Sequence, residues 1–458
     1  MKAFCAFTLS LLFSVFMSAA TDFRIGAAAV RITPDQALPM AGYYSTRLAT
    51  GTHDDLFAKA LVMECDGERA ALVVCDLLTL TRGVVAQARE LIAKQTGIPA
   101  DRVMISATHT HTGPVLSTGS ARAMVDSGDS EAVRQYTAQL PTRIAVAVQQ
   151  AAARLASARV SAATEKETNL SHNRRFFLRD GTVGWNPGKL NTNIVKVAGP
   201  IDPEVTVLCF DAARTNLAAY VNFAMHPDTT GGTMWSADYM GELSRILGNY
   251  RGSNFITVFA NGACGDINHV DVNWADPQKG HIEAARLGTV LAGDVFKAFT
   301  QSKPVALGKL RSRSEIVTLD LAPLKTDDLE LASNIVARIG SKPAPKFLDQ
   351  VFALKALDVA GRKGEPYQVE VQVIALGDEI AWVSLPGEIF VELGLDIKAK
   401  SPFKHTLIAE LANGSIGYIP TRRAYDEGNY EPTSARCAKG SGERVRDAAI
   451  KLLRELKR

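Results

Sequence analysis

The sequence is short of everything that would mark a partner by charge. It carries 51 Lys and Arg against 48 Asp and Glu, a net charge of +3, with no basic stripe or acidic run. That balance excludes an extended nucleic-acid surface and a polybasic membrane patch. Cysteine is scarce as well. Beyond Cys5 there are Cys65, Cys75, Cys209, Cys264 and Cys437, odd in number, widely spaced and without a Cys-x-x-Cys pair. A disulfide framework and a thiolate zinc knuckle are thereby excluded. One or two bridges can form, Cys65 with Cys75 among them, but buried free thiols are the expectation. After residue 20 no stretch is long and apolar enough to cross a bilayer. There is no internal repeat, no low-complexity tract and no clear linker.

What is present begins with a leader. Met1–Ala20 has one charge, Lys2, an apolar run from Ala3 to Met17, then Ser18-Ala-Ala20 before Thr21. This is the pattern of a secretory signal peptide, with cleavage expected after Ala20 and export to the periplasm or medium. Cys5 precedes the cleavage point, so a lipoprotein is not expected. The remaining chain, 21–458, is apolar enough for a large core: hydrophobic residues make up 47% of the sequence and charged ones only 22%. A single compact α/β catalytic domain built on a mixed sheet is predicted.

Along that domain, Phe23–Ile32 reads as an opening strand. Ala58–Cys65 and Arg69–Leu77 form a hairpin about Asp66-Gly67. A helix is predicted over Thr81–Gln95, a buried strand over Val103–Ala107, a surface loop or lid over Ser117–Asp129, and a helix over Ala132–Leu155. Further strands are expected at Asp202–Phe210, Leu217–Phe223, Arg311–Leu321 and Tyr367–Leu376. Helices are expected at Ala285–Thr300, Asp327–Arg338 and Gly442–Arg458.

The chemistry gathers where apolar strands end. After Val103–Ala107 come His109 and His111, two residues apart; strand alternation would point them to one face. Two imidazoles there can serve as metal ligands, as general base, or as one of each. Tyr220–Met225 exits into His226-Pro227. Phe255–Ala260 opens into a Gly-spaced turn with Asn261, Asp266 and Asn268. Ile380–Leu385 ends at Pro386-Gly387-Glu388. In α/β sheets, ligands collect at the carboxyl ends of strands, so the active site is predicted there. Several histidines and one carboxylate fit a catalytic zinc site with an open position for water. Asp228, Asp238, Asp266 and Asp271 leave a two-metal phosphate-ester hydrolase as an alternative.

Five segments in order, Ser106-Ala-Thr-His-Thr-His-Thr-Gly-Pro114, Asn222-Phe-Ala-Met-His226, Phe259-Ala-Asn-Gly-Ala-Cys-Gly-Asp266, Leu385-Pro-Gly-Glu388 and Gly417-Tyr-Ile-Pro-Thr421, resemble the catalytic domain of the neutral/alkaline (non-lysosomal) ceramidases. The resemblance runs from about Phe23 to at least Glu431. It implies a hydrolase that cleaves an acyl amide of a ceramide-like lipid with one zinc ion, held by His109, His226, Glu388 and Tyr418. It also implies His111 as base or proton shuttle and Arg174 beside the reacting carbonyl, with Arg175 as the register alternative. Tyr430 and Asp266 would bind substrate. Asn268 stands where the family has serine in Gly-Asp-Val-Ser-Pro-Asn, so a nucleophile is absent there while a hydrogen-bond donor remains. The chain stops soon after Tyr430, and the family's following β-sandwich domain is expected to be missing. A zinc esterase or lactone hydrolase, and a catalytically inactive metal-containing binding module, are the alternatives on the same residues.

Overall fold

Residues 22–212 and 215–457 are described in this computed structural model; the leader peptide expected at 1–20 lies outside them. Two sheets form the centre. The strands of the larger are β1 (Phe23–Arg31), β2 (Phe57–Cys65), β3 (Glu68–Cys75), β4 (Val103–Ala107), β5 (Ala156–Lys166), β6 (Glu204–Ala212), β7 (Thr215–Phe223) and β8 (Ile256–Asn261). Their order is β8-β7-β6-β5-β1-β2-β3-β4, with the short strand Lys303–Pro304 also pairing β5. Four strands make the smaller sheet in sequence order: β9 (Leu310–Leu319), β10 (Tyr367–Leu376), β11 (Ile380–Ser384) and β12 (His405–Ala409).

The interior is mostly antiparallel, but three pairs run parallel: β3 with β4, β7 with β8, and β11 with β12. Their apolar runs without alternation are the pattern of strands buried on both faces. The sheets meet through Ile25, Met63, Phe210 and Tyr220 on one side and Ile374, Trp382 and Leu407 on the other. Helices cover the outer faces. Helices α1 (Arg82–Thr96) and α2 (Glu131–Ala152) lie on β1–β4, and α3 (Asp238–Arg251) with α4 (His281–Gln301) on β6–β8. Helix α5 (Phe347–Gly361) stands at the rim, and α6 (Val391–Lys400) with α7 (Ser441–Lys457) covers the smaller sheet.

Local chemistry accounts for the boundaries. The hairpin between β2 and β3 turns on Asp66 and Gly67, both at positive φ, 51° and 83°. Helix α1 starts where the Thr81 hydroxyl accepts from the Val84 amide, and it stops at Gly97, φ 74°, whose N–H returns to Ala93. The edge strand β4 is stitched to the loop after β12: the Ile105 amide donates to Asn413 Oδ1 and the Asn413 amide donates to Ile105 O. All five cysteines after Cys5 are buried free thiols, and Cys65 and Cys75 sit at opposite ends of their paired strands.

Three elements differ from the sequence expectation. The Ser117–Asp129 segment contains a short helix, Ala121–Val125, fastened to α5 by the Ala121 amide on Asp358 Oδ1. Helix α5 was not foreseen, because its apolar residues run around the whole helix and give no amphipathic stripe. Strand β5 was not assigned from the sequence, since its alanines and charged residues carry little β-propensity; pairing with β6 and β1 supplies it instead. Among the described residues no helix is long and apolar enough to cross a membrane.

Candidate active site

The carboxyl ends of β4, β7, β8, β11 and β12 open onto one region, and each delivers polar residues to it. His109 follows β4 by two residues. It does not project by strand alternation, as the sequence suggested: the strand ends at Ala107 and His109 takes the left-handed conformation at φ 72°. The turn is held from its threonines, Thr110 and Thr112, whose hydroxyls both donate to Ser236 O at 2.7 and 2.8 Å. A non-glycine residue at positive φ is held by such surroundings and is a mark of function.

The imidazoles converge. His109 Nδ1 lies 2.8 Å from Leu78 O, and His226 Nδ1 lies 3.0 Å from Cys264 O. A carbonyl can only accept, so both Nδ1 atoms carry the proton and both Nε2 atoms present lone pairs. Those two Nε2 atoms face each other at 3.0 Å. His111 Nε2 stands 3.4 Å from His109 Nε2. Glu388 Oε2, buried and without a hydrogen-bond donor, is 3.3 Å from His109 Nε2 and 3.5 Å from His226 Nε2. Lone pairs of this kind at such separations repel unless a cation lies among them. His109, His111 and His226 can therefore hold a metal ion, and among the described residues no other group of three His, Cys, Asp or Glu converges in this way.

Charge follows the same logic. Burial alone would lower His109, yet Glu388 and the Leu78 carbonyl outweigh it and hold it above its ordinary value. Glu388, which burial alone would raise, is held well below the usual carboxylate range by His109 and His226. Glu388 is thus a carboxylate anion beside the imidazole nitrogens, a charge that a bound cation would complement. His111 is different: burial, reinforced by His109, lowers it well below the usual imidazole value, so it is neutral at pH 7.

Tyr418 and Glu388 are register partners in a two-residue parallel pair, Glu388–Ile389 with Tyr418–Ile419. The Tyr418 hydroxyl accepts from Arg174 Nη2 at 3.0 Å. Arg174 is wholly enclosed: Nε donates to Glu431 Oε1 at 2.9 Å and Nη2 also to Gly265 O at 2.7 Å. Arg175 turns away, to Glu431 Oε2, Glu427 and Gly428 O. Of the two registers left open by the sequence, it is Arg174 that bonds Tyr418. Tyr430 lies beyond, its ring 5.3 Å from Tyr418, 4.5 Å from Trp185 and 5.4 Å from Phe347, with Tyr44 closing the wall.

Two expected residues are not brought into this group. Asp266 accepts from the Val391 amide and Asn173 Nδ2, and burial pushes it up to about 6. It fixes the backbone of the Arg174 segment, whose amide bonds Asp266 O. Asn268 donates to Asn186 Oδ1 and accepts from the Val270 amide; among the described residues no hydrogen bond joins it to the imidazoles. The other aspartates proposed for a two-metal site are also committed elsewhere. Asp238 accepts from the Thr229 and Thr230 amides, Asp271 from Asn273, and Asp228 pairs with His269 at 3.2 Å. A surface cleft of 540 Å³ lined by Asp396, Arg422 and Arg446 contains none of these residues, so convergence of chemistry rather than cleft size locates the site.

Sequence reasoning missed Glu410, Glu431, Trp185, Phe347 and Tyr44. Glu410 follows the apolar run Thr406–Ala409, the signal that found the others. Gly42 lies in Met40–Tyr44, which by sequence is no more than a Gly-rich, polar loop. Its φ is 105°, and a Cβ there would lie 2.6 to 2.7 Å from the Cγ, Cβ and Nδ1 atoms of His111. Gly42→Ala should therefore displace His111 and lower kcat by roughly 10 to 100-fold, the effect of a displacement near 1 Å. Metal content should be unchanged, because the contact spares His109, His226 and Glu388; steady-state kinetics beside metal analysis checks both.

The sequence profile described as neutral/alkaline non-lysosomal ceramidase, N-terminal, matches residues 23–275. A neutral ceramidase of Pseudomonas aeruginosa is 25% identical over 495 residues, covering 94% of this chain and 72% of that protein. The crystal structure of neutral ceramidase from Pseudomonas aeruginosa superposes with a TM-score of 0.75 at 22% identity, over 96% of this chain and 75% of that one. A ceramidase complexed with C2 gives 0.74 at 22% identity, over 96% and 76%. The fold is shared with both structures.

Proposed function

Since the chain belongs to the neutral/alkaline non-lysosomal ceramidase family, a family of hydrolases, we propose that it cleaves the acyl amide bond of ceramide or a closely related lipid amide using one zinc ion. The observation that carries the metal-dependent part is the pair of Nε2 lone pairs 3.0 Å apart beside an unpartnered, buried Glu388 oxygen. His109, His226, Glu388 and Tyr418 would hold the ion. Nitrogen and oxygen donors of this kind, with no thiolate among them, suit zinc. Bound there, zinc supplies Lewis acidity and brings the pKa of its water near 7.

The chain's own residues do the rest. Neutral His111 takes a proton at Nε2, the nitrogen that borders the group, and returns it to the leaving amine. Arg174 is pinned at Nε and Nη2, while Nη1 is engaged by no described group and faces the negative charge that grows on the substrate carbonyl. Tyr44, Trp185, Phe347 and Tyr430 form an apolar wall that excludes water and takes the lipid part of the substrate. Asn268 supports this arrangement through Asn186 and supplies no nucleophile.

The test is hydrolysis of an N-acyl sphingosine, a simple N-acyl amide and the matched acyl ester by purified protein, with metal analysis alongside. About one zinc per chain and preferential cleavage of the N-acyl sphingosine are expected. Preference for the ester would move the enzyme to the esterase reading, and zinc without turnover of any of the three would leave only a binding module.

A further inference from the structure

The loops that carry three of the proposed ligand side chains, His109, His226 and Glu388, follow different strands, and two buried residues outside the ligand set tie them together. Asn261, the last residue of β8, donates from Nδ2 to Thr108 O at 3.1 Å and accepts at Oδ1 from the Met225 amide at 3.3 Å. Thr108 and Met225 immediately precede His109 and His226. Asn261 O in turn accepts from the Glu410 amide at 3.1 Å. Glu410, fully buried after β12, accepts at Oε2 from the amides of Cys264 and Ile389 at 3.1 and 3.0 Å, and at Oε1 from the Cys264 thiol at 2.9 Å. Cys264 is the residue whose carbonyl orients His226, and Ile389 follows Glu388. One asparagine thus links the His109 loop to the His226 loop, and one glutamate links the orienting partner of His226 to the Glu388 loop.

We propose that Asn261 and Glu410 are positioning residues that set the spacing of His109, His226 and Glu388 and thereby the metal affinity of the site, an inference that rests on the metal-site reading above. The residue types are specific to the task. Asn261 must donate on one side and accept on the other. Glu410 must take two amide N–H groups on one oxygen, which an aliphatic side chain of similar size cannot do. Partners behind the ligands of this kind change metal affinity by roughly 10 to 100-fold when replaced.

The test measures zinc affinity by competition with a chromophoric chelator, together with thermal unfolding of the metal-free protein, for wild type, Glu410→Gln, Glu410→Met and Asn261→Asp. Glutamine keeps an oxygen for the two amides and should stay within about threefold of wild type. Glu410→Met, and Asn261→Asp, which sets a carboxylate against Thr108 O, should each weaken zinc binding by roughly 10 to 100-fold. If Glu410→Met does not fold, Asn261→Asp against Glu410→Gln makes the same comparison. Wild-type affinity in both disruptive variants overturns the positioning role while leaving the metal site standing. Equal weakening by glutamine and methionine, in step with equal loss of metal-free stability, overturns it too. Wild-type protein that binds no zinc overturns the metal reading and the inference with it.

Discussion

His226→Ala should strip the zinc and lower amide hydrolysis on the order of a thousandfold or more, equivalent to about 4 kcal/mol in the barrier. Of the converging imidazoles this is the one most completely enclosed, with its ring fixed by the Cys264 carbonyl on one side and its Nε2 opposed to that of His109 on the other. Cys264 Sγ, the nearest other donor, is turned toward Glu410 and does not replace it. A second readout separates loss of metal from loss of fold. A metal ion that binds only the native state would raise the unfolding temperature of wild type by mass action. In His226→Ala that rise should vanish, while the metal-free variant still unfolds cooperatively. A variant that keeps about one zinc per chain and wild-type turnover would return His226 to a structural role and dismantle the proposed ligand set. His109→Ala should behave alike, its left-handed backbone, φ 72°, still held by its own amide on Leu77 O and by the Thr110 and Thr112 hydrogen bonds.

Much of this site was legible because its residues sit where apolar runs stop. Val103–Ala107 was read to the residue, and the exits at His226, Asn261 and Glu388 follow strands that are in fact parallel to a neighbour. A fully buried strand announces itself by continuous apolar sequence, and the polar residue after it has no packing reason to be there. What sequence could not give was the mechanism of convergence. The pairing of His109 with His111 rests on a left-handed turn held by hydroxyl bonds to Ser236 O, more than a hundred residues away, and not on strand alternation. The same limit hid the aromatic wall: Trp185, Phe347 and Tyr44 come from three separate segments and carry no periodic signal, and α5, which supplies Phe347, shows no apolar stripe to identify it. Asp266 and Asn268 were drawn toward the chemistry by their motif, whereas in three dimensions they fasten backbone around Arg174 and Val270. Motif adjacency marks a functional neighbourhood but does not distinguish the groups that react from those that hold them.

Arg174→Met should lower kcat by about 10² to 10³-fold, the range for loss of one preorganised donor to a developing oxyanion, and leave zinc content near one per chain. The expectation follows from charge. Two buried guanidiniums, Arg174 and Arg175, share one buried carboxylate, Glu431, and Arg175 has Glu427 as a second, so Arg174 is left with only a share in one carboxylate. Arg175 directs its remaining donors to Glu427 and Gly428 O, leaving Arg174 as the member bonded to Tyr418. In a water-excluded site the Arg174 charge has few partners in the ground state and gains one when the carbonyl oxygen becomes negative, which is what makes a group catalytic rather than merely binding. Arg174→Lys should recover part of the loss, since an ammonium keeps the charge but not the fork that bonds Glu431, Gly265 O and Tyr418 together. The substitution to methionine also leaves Glu431 Oε1 without its donor, and some loss of thermal stability should accompany it. Stability and catalysis are separable through the kinetic constants. A fall in kcat with KM little changed assigns Arg174 to the transition state, whereas a rise in KM at constant kcat would make it a substrate anchor and remove the oxyanion role altogether.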